Sequence, residues 1–245
     1  FQMISVRTKL YFSMENLILQ QFFVFTFSER HDKMCSYLYF SFLRGQTMDS
    51  NFFALISRMR YIARWGLMRN ALPENIQEHS HMVAVLAHAL GVIRRDIFHQ
   101  PCDVNALATA ALYHDASEIL TGDLPTPVKY ANEKIQAAYK AIEDDAAQRL
   151  VEMLPQEMQA SFSAVLHEED PEVLSLVKAA DKLSAHLKCL EELKAGNQEF
   201  GSAAEQTRQA LEDYRMPELD YFLTHFLPAF SCTLDQLQAF EAGQG

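Results

Sequence analysis

The 245-residue chain is 49% apolar and 22% charged, a composition that allows a buried core and excludes an intrinsically disordered protein. Its formal net charge of -11 argues against a nucleic-acid polymer as partner, because such binding relies on clustered lysine and arginine. A small phosphorylated substrate is not excluded, since a metal ion and one or two local cations can hold a phosphate within an acidic protein. No stretch reaches the roughly 18 uninterrupted apolar residues of a transmembrane helix, so we predict no membrane partner.

The N-terminal segment differs in composition from the rest of the chain. Residues 1–47 are rich in Phe, Tyr and Ser. Arg7 and Lys9 precede a short apolar run, as in a signal peptide, but Gln20 and Gln21 interrupt that run. We therefore predict that residues 1–47 are an extension outside the functional domain, with a membrane-associating arm as the alternative. Residues 48–245 are predicted to form one domain.

From Met48 onward the sequence predicts helices almost everywhere. Apolar residues recur at intervals of three and four, long alternating runs are missing, and Gly and Pro separate the segments. The predicted helices are 50–64, 76–98, 103–120, 130–152, 155–166, 172–195, 198–213 and 216–228. The predicted fold class is all-α, a single helical bundle.

The four cysteines, Cys35, Cys102, Cys189 and Cys232, lack the short paired spacings of a zinc site or redox motif. Unpaired thiols are typical of a reducing compartment. We therefore expect a cytoplasmic protein.

Two histidines begin the second predicted helix, and an almost continuous apolar run, residues 82–87, follows them. A helix that is apolar on nearly all sides is buried, so its first turn should enter a core. His79 and His81 are two residues apart, about 200° around a helix, and cannot share one ligand site. At most one of them is a metal ligand there, and a hydrogen-bonded structural histidine is the alternative.

A histidine and an aspartate stand side by side near the end of the third predicted helix. Small and apolar residues lead directly into His114 and Asp115. Burying the carboxylate unpaired would cost several kcal/mol, and a metal ion would satisfy both side chains together. Glu118 follows one helical turn after His114 and is expected on the same face. A buried, hydrogen-bonded His–Asp pair without metal is the alternative.

Asp181 lies at the edge of an apolar stripe formed by Leu176, Ala180, Leu183 and Leu187. An acid in this position, flanked by lysines, is equally typical of a solvated helix surface. Asp181 becomes a candidate metal ligand only in combination with His79, His114 and Asp115, which precede it in the chain.

Together these residues resemble the HD-domain phosphohydrolase superfamily: a His, an adjacent His-Asp pair thirty-five residues later, and an Asp in a later helix. The similarity extends to five longer stretches that resemble the bacterial 5′-deoxynucleotidase family. They are residues 64–70 (RWGLMRN), 78–80 (EHS), 113–118 (YHDASE), 121–130 (TGDLPTPVKY) and 187–193 (LKCLEEL). The resemblance covers residues 48–237 and implies metal-dependent hydrolysis of deoxyribonucleoside 5′-monophosphates.

The resemblance also implies roles for individual residues. The ligands of one divalent ion, such as Co, Mn or another first-row transition metal, would be His79, His114, Asp115 and Asp181. The catalytic residues would be Glu118 and Asp123, which handle the water and its protons, and Arg64, which orients the phosphate. The substrate-contacting residues would be Arg64, Trp65, His79, Asp115, Asp123, Leu124, Pro125, Thr126 and Asp181. The resemblance further implies a homodimer.

Two other functions stay open at this stage: an HD phosphohydrolase with a different nucleotide substrate, and a non-catalytic nucleotide sensor. Larger substrates should require more cations, and this chain offers mainly Arg64, with Lys129 and Arg69 as further candidates. One departure from the family pattern is Ile76-Gln77, which removes an expected capping serine at a cost of about 1 kcal/mol.

Overall fold

A computed structural model describes residues 50–129 and 131–242 of the chain. Its helices are α1 Phe52–Ile56, α2 Ile76–Val92, α3 Val104–Tyr113, α4 Glu118–Thr121, α5 Thr126–Lys129, α6 Glu133–Glu152, α7 Gln156–Leu166, α8 Pro171–Lys194, α9 Gly201–Asp213, α10 Pro217–His225 and α11 Leu234–Ala242. Short 3-10 helices span Ser57–Tyr61, Gln198–Phe200 and Leu227–Ser231, and a π-helical turn spans Ile93–Ile97. These residues belong to one unit, Asp49–Gly245, and contain no β-strand, which confirms the all-α fold class. The predicted extension, residues 1–47, lies outside the described residues.

The centre of the fold is the packing of α2 against α3 and α8. The buried core between these helices includes Val83, Leu86, Leu90, Leu107, Ala111, Leu176, Ala180 and Leu183. Burial of each large aliphatic side chain stabilises the fold by about 1.5–3 kcal/mol. Gly91 permits the close approach of α2 to α3, because a Cβ there would lie 2.9 Å from Leu107 Cδ2. The expectation that α2 is buried on nearly all sides is wrong on one face, where Met82 and Val85 are exposed.

Side-chain caps begin the helices that carry the site. Asn75 accepts hydrogen bonds from the Gln77 and Glu78 amides, and the Glu78 side chain accepts one from the Asn75 amide, which completes a capping box. The expected loss of a cap before α2 is therefore wrong, since Asn75 supplies the cap two positions before Gln77. Asp170 caps α8 by accepting a hydrogen bond from the Glu172 amide, with Pro171 at the first helical position.

The predicted helix 103–120 is broken at the His-Asp pair. Helix α3 ends at Tyr113, residues 114–117 form turns, and α4 begins at Glu118. The Ala116 amide bonds to the Tyr113 carbonyl at 3.0 Å, and the Glu118 amide bonds to the Asp115 carbonyl at 3.0 Å. These bonds span three residues instead of four, so the backbone is wound more tightly than an α-helix. The apolar periodicity continues through this turn and therefore conceals it in the sequence.

A loop of residues 62–75, called the 62–75 loop, replaces the end of the first predicted helix. Its ends are joined by an antiparallel bridge between Ala63 and Asn75. The Arg64 amide donates to the Glu74 carbonyl at 3.0 Å, and the Ile76 amide donates to the Ile62 carbonyl at 3.0 Å. These bonds bring the two ends of the loop together beside the first turn of α2.

The middle of the 62–75 loop is attached to α8 by a buried carboxylate. Glu192 is fully buried and accepts hydrogen bonds from the amides of Ala71, at 2.8 Å, and Leu72, at 2.9 Å. Lys188, also buried, pairs with Glu192 and donates to the Leu72 carbonyl. Asn197 donates to the same carboxylate at 2.7 Å. The loop is thus anchored through polar groups shielded from water.

Two further expectations concern thiols and membranes. Cys102, Cys189 and Cys232 are free thiols, as predicted, and Cys35 lies outside the described residues. Across the described part of the chain, none of the helices combines the length and apolarity needed to cross a membrane.

Candidate active site

Three parts of the fold bring the predicted ligands together. His79 lies in the first turn of α2, His114 and Asp115 follow α3, and Asp181 lies in the middle of α8. One ligand atom from each of His79, His114 and Asp181 lies within 4.8 Å of the other two. Within this group, His79 Nε2 and Asp181 Oδ1 are 3.0 Å apart. The spacing suits a single metal ion.

Asp115 lies beside the same two imidazoles. Its Oδ2 is 3.2 Å from His114 Nε2 and 3.6 Å from His79 Nε2. The four predicted ligands therefore occupy one cluster, with two imidazole nitrogens facing two carboxylates. His81, by contrast, is exposed, so the structure separates the two histidines of α2.

The two imidazoles offer free nitrogens to the centre of this cluster. His114 Nδ1 lies 2.7 Å from the Ala111 carbonyl and must donate its hydrogen there, so the neutral imidazole presents the lone pair of Nε2 to the cluster. His79 Nδ1 lies 3.1 Å from Ser184 Oγ. Both Nε2 atoms are buried and have no hydrogen-bond partner among the described atoms. Buried polar atoms normally have partners, so these two nitrogens fit a metal ion.

The electrostatics of the cluster favour bound cations. Burial opposes charge on His114, yet the adjacent Asp115 raises its pKa to about 9. Burial likewise opposes ionisation of Asp181, but the close approach of His79 and the nearby imidazole charges lower its pKa to about 2. The pKa of Asp115 is lowered as well, chiefly by His114 acting against burial. A site that favours a proton on an imidazole and charge on two carboxylates also favours a divalent cation, which must displace that proton.

Glu118 and Asp123 lie beside the ligand cluster with raised pKa values. Burial, together with the charges of Asp115 and Asp123, raises the pKa of Glu118 to about 9. Glu118 Oε2 is buried and lacks a hydrogen-bond partner among the described atoms. Burial also raises the pKa of Asp123, with Arg64 and His79 acting in the opposite direction. Perturbed carboxyl groups next to a cation site are typical of catalytic acids and bases.

The segment that carries Asp123 begins at a glycine with positive φ. Gly122 has φ +76°, as expected for a residue that ends a helix, and it closes α4 through a 2.8 Å bond to the Glu118 carbonyl. The Tyr139 hydroxyl donates to the Gly122 carbonyl at 3.1 Å. Leu124 and Pro125 are half-buried, and the exposed Thr126 begins α5. This segment is therefore held at both ends by the turns that flank it.

Arg64 and Trp65 are neighbours in the 62–75 loop, and Arg64 lies beside Asp181. The Arg64 side chain is 13% exposed, and its Nη2 lies 4.0 Å from Asp181 Oδ1. The Trp65 ring packs against Phe200, with ring centroids 5.3 Å apart. Trp65 adopts φ +59°, a conformation that is uncommon outside glycine. The loop thus places a guanidinium at the edge of the ligand cluster and fixes the adjacent indole against Phe200.

Three residues that support the site, Glu74, Ser184 and Glu192, were not predicted from the sequence. Glu74 accepts hydrogen bonds from both Arg64 and Trp65, Ser184 contacts His79, and Glu192 anchors the 62–75 loop. The sequence offers a signal only for Ser184, which follows Asp181 by three residues and so shares its helix face.

Comparisons with known proteins identify the family of this chain. A family model described as 5′-deoxynucleotidase YfbR-like matches residues 51–230. The chain belongs to the YfbR-like 5′-deoxynucleotidase family. Relatives named 5′-deoxynucleotidase from Yersinia pestis and Yersinia pseudotuberculosis are each 50% identical to this chain over 190 residues, covering 77% of this chain and 96% of each relative.

Solved structures show the same fold. An HD-domain phosphohydrolase from Listeria innocua superposes with a TM-score of 0.66 at 22% identity, covering 80% of this chain and 98% of that one. A cyanophage S-2L HD phosphohydrolase bound to dA and one catalytic Zn²⁺ ion superposes with a TM-score of 0.53 at 25% identity, covering 74% of this chain and 96% of that one. Membership of the YfbR-like family confirms the predicted resemblance, the HD-domain fold and the class of enzyme, a metal-dependent phosphohydrolase.

Proposed function

We propose that this YfbR-like protein hydrolyses deoxyribonucleoside 5′-monophosphates at a single divalent ion held by His79, His114, Asp115 and Asp181. The observation that carries the proposal is the pair of buried imidazole Nε2 atoms, which lack hydrogen-bond partners among the described atoms and face two carboxylates. Neighbouring side chains supply the rest of the site.

Two imidazoles and two carboxylates suit a first-row transition metal, for which Co and Mn are our candidates. Among the described residues, a single group of three or more His, Cys, Asp or Glu side chains lies close enough together to hold an ion. It consists of His79, His114 and Asp181, which favours one ion. The cyanophage relative holds one catalytic Zn²⁺ ion, in keeping with this donor set. When bound, the metal would neutralise phosphate charge and lower the pKa of water.

Arg64 is assigned to the substrate phosphate. Its Nη1 is held by Glu74 at 2.7 Å, and its Nη2 points towards Asp181, 4.0 Å away. A phosphate next to the ligand cluster would therefore meet a fixed guanidinium, which binds phosphate oxygens in a planar geometry. Lys129 is paired with Glu143 at 2.7 Å, and Arg69 is largely exposed. The small number of cations at the site favours a monophosphate over a triphosphate.

Glu118 and Asp123 are assigned to the two proton transfers of the reaction. Hydrolysis adds water across the bond between phosphorus and the sugar 5′ oxygen, so one proton leaves the water and one reaches the departing oxygen. Both carboxyl groups have raised pKa values, as required for groups that exchange protons near neutral pH. We assign the two transfers to this pair as a unit.

Trp65 and the Asp123–Thr126 segment are assigned to the nucleoside. The fixed indole of Trp65 offers an apolar surface against the sugar 2′ carbon, where a hydroxyl would be poorly accommodated. An apolar wall of this kind rejects an added hydroxyl by a factor on the order of a hundred. Leu124, Pro125 and Thr126 would contact the rest of the nucleoside.

We also propose that the enzyme acts in the cytoplasm as a homodimer. Free thiols at Cys102, Cys189 and Cys232 support a reducing compartment. Sedimentation of the purified protein at micromolar concentration should give twice the mass of one chain, and the mass of one chain would overturn the dimer.

The test of this function is phosphate release from deoxy- and ribonucleoside 5′-monophosphates after metal removal and addition of Co, Mn, Zn or Mg. We expect metal-dependent release that strongly favours the deoxy substrates and is lost in Glu118→Gln. Equal release from both sugars would overturn the role of Trp65, and no release with any metal would overturn the proposed activity.

A further inference from the structure

Glu74 joins two residues that the proposed function assigns to different parts of the nucleotide. Its Oε2 accepts a hydrogen bond from Arg64 Nη1 at 2.7 Å and a second from Trp65 Nε1 at 3.1 Å. The Glu74 side chain is 16% exposed and that of Arg64 is 13% exposed, so solvent screens their pairing only weakly. One carboxylate oxygen therefore fixes both the guanidinium and the indole.

Arg64 has a second carboxylate, Asp181, close enough to compete with Glu74. Asp181 Oδ1 lies 4.0 Å from Arg64 Nη2 and 3.0 Å from His79 Nε2. Without the Glu74 carboxylate, the guanidinium would be free to approach Asp181 and form a closer pair. Arg64 would then occupy a carboxylate of the ligand cluster and would leave the position that faces the phosphate.

The Trp65 backbone needs support of this kind. With φ +59° it adopts the left-handed conformation that glycine favours. A non-glycine residue stays in such a conformation only when surrounding contacts determine it. Phe200 packs against one part of the indole, and Glu74 holds its N–H. The two contacts together set the ring orientation.

The backbone holds Glu74 in register with both partners. The Arg64 amide donates to the Glu74 carbonyl, and Ala63 bridges to Asn75. This pairing places Glu74 directly across the loop from Arg64. The carboxylate therefore reaches both side chains from a fixed position.

We propose that Glu74 is a positioning residue that sets phosphate orientation and sugar discrimination together, through Arg64 and Trp65. The inference rests on the proposed function, because it requires those two residues to contact the phosphate and the sugar. On this inference a single carboxylate, that of Glu74, links phosphate binding by Arg64 to sugar discrimination by Trp65.

The test compares Glu74→Gln and Glu74→Asp with Glu191→Gln. The Gln variant keeps the size of the side chain and removes its charge, whereas the Asp variant keeps the charge on a shorter side chain. Glu191 lines the same cavity as Glu74 and is exposed, with no described hydrogen bond to Arg64 or Trp65, so its variant controls for loss of one negative charge. Kinetics with deoxy- and ribonucleoside 5′-monophosphates are measured with saturating metal.

Trp65 is the only tryptophan of the chain, so its fluorescence provides a readout independent of activity. We expect Glu74→Gln to shift the emission maximum, to lower kcat/KM for the deoxy substrate by about tenfold to a hundredfold, and to raise KM. The ratio of deoxy to ribo kcat/KM should fall towards one. Glu74→Asp should recover part of each change, and Glu191→Gln should behave as wild type.

A purely structural role for Glu74 would give a different pattern. Fewer correctly folded molecules would lower kcat for both sugars equally, with KM, the deoxy-to-ribo ratio and the emission maximum of the folded fraction unchanged. That pattern in Glu74→Gln would overturn the inference. If Glu74→Gln fails to fold, the same pattern in Glu74→Asp would overturn it. If wild type and Glu191→Gln release no phosphate, the proposed function itself fails, and this inference falls with it.

Discussion

The ligand cluster and the 62–75 loop are neighbouring regions that are stabilised in different ways. His79 and Asp181 lie on α2 and α8, two long helices packed through a continuous apolar core. The loop, by contrast, is fixed by hydrogen bonds to Glu192, by the pair of Glu192 with Lys188, and by the contacts of Glu74. The position of the ligands therefore depends on packing, and the position of the proposed substrate residues depends on a few buried polar groups.

Because of this difference, variants of the ligands and variants of the loop anchors should affect different properties, activity in the first case and folding stability in the second. Loss of a ligand should abolish activity while leaving the apolar core intact. Loss of a buried polar anchor should both destabilise the fold and displace the loop. A buried polar group left without its partner lowers the free energy of unfolding. The variants below test that separation.

The largest effect is expected from His114→Ala. Removal of one imidazole from the cluster should lower kcat/KM by about a thousandfold or more, since the metal contributes several kcal/mol to transition-state stabilisation. It should also abolish the rise in thermal midpoint that added metal produces in wild type. His81→Ala, which changes an exposed histidine of α2, is the control and should retain both properties. Activity within tenfold of wild type in His114→Ala would contradict the assignment.

The next effect concerns the anchor of the loop. Glu192→Ala leaves buried Lys188 without its carboxylate and should lower the free energy of unfolding by about 3 kcal/mol. Glu212→Ala is the matched control, because Glu212 forms the same i,i+4 pair with Arg208 on the exposed surface of α9. It should cost less than about 1 kcal/mol. Equal losses in urea denaturation of the two variants would show that the buried anchor has no special role.

The same anchor predicts a pH dependence of stability. Although burial opposes ionisation, hydrogen bonds from Lys188, Asn197 and the loop amides lower the pKa of Glu192 from 4.5 to about 2. Because the folded-state pKa lies below the unfolded value, the stabilisation is complete above about pH 5 and is lost as the pH falls towards 2. Urea denaturation of the metal-free protein at pH 6, 4 and 3 should show the gap between wild type and Glu192→Gln narrowing with acid. A constant gap would refute this origin of the stability.

A smaller effect is expected from Ser184→Ala. Ser184 Oγ lies 3.1 Å from His79 Nδ1, and partners of this kind orient a ligating imidazole. The variant should bind metal about tenfold to a hundredfold more weakly, as measured by calorimetric titration. Ser80→Ala is the control, since Ser80 Oγ is buried without a hydrogen-bond partner among the described atoms. Equal metal affinities in the two variants would show that Ser184 does not orient His79 for metal binding.

The smallest effect is expected at the junction of the two regions. Asn75 ends the 62–75 loop and caps α2, the helix that carries His79. Asn75→Ala should lower the free energy of unfolding by about 1 kcal/mol, and exposed Gln77→Ala should change it much less. Chemical denaturation distinguishes the two, and indistinguishable midpoints would contradict the capping role.

The sequence predicted the ligand cluster better than the loop for a physical reason. Helical periodicity placed His79 and His114 beside apolar runs and Asp181 at the edge of an apolar stripe, and the resemblance carried by the HDASE and TGDLPTPVKY stretches implied that they are ligands. The broken helix at His114 was not predictable, because tight turns and α-helix share the same apolar spacing over a few residues. The capping residue Asn75 was missed because the cap was expected two positions later, at Gln77.

The contacts that fix the 62–75 loop could not be predicted from the sequence. The contacts of Glu74 depend on which residues face each other across an irregular turn, and no periodicity specifies that register. Those of Glu192 join residues about 120 positions apart, because residue 192 bonds to the amides of residues 71 and 72. A long-range polar contact of this kind leaves no local pattern, so only the folded chain identifies it.

The most direct test of the metal centre is X-ray absorption at the cobalt edge of protein loaded with one equivalent of Co²⁺. The account predicts two imidazole ligands, from His79 and His114, with oxygen donors completing the shell, and one imidazole in His114→Ala. A wild-type spectrum without imidazole scattering, or one unchanged by His114→Ala, would contradict the assignment of the metal to this cluster.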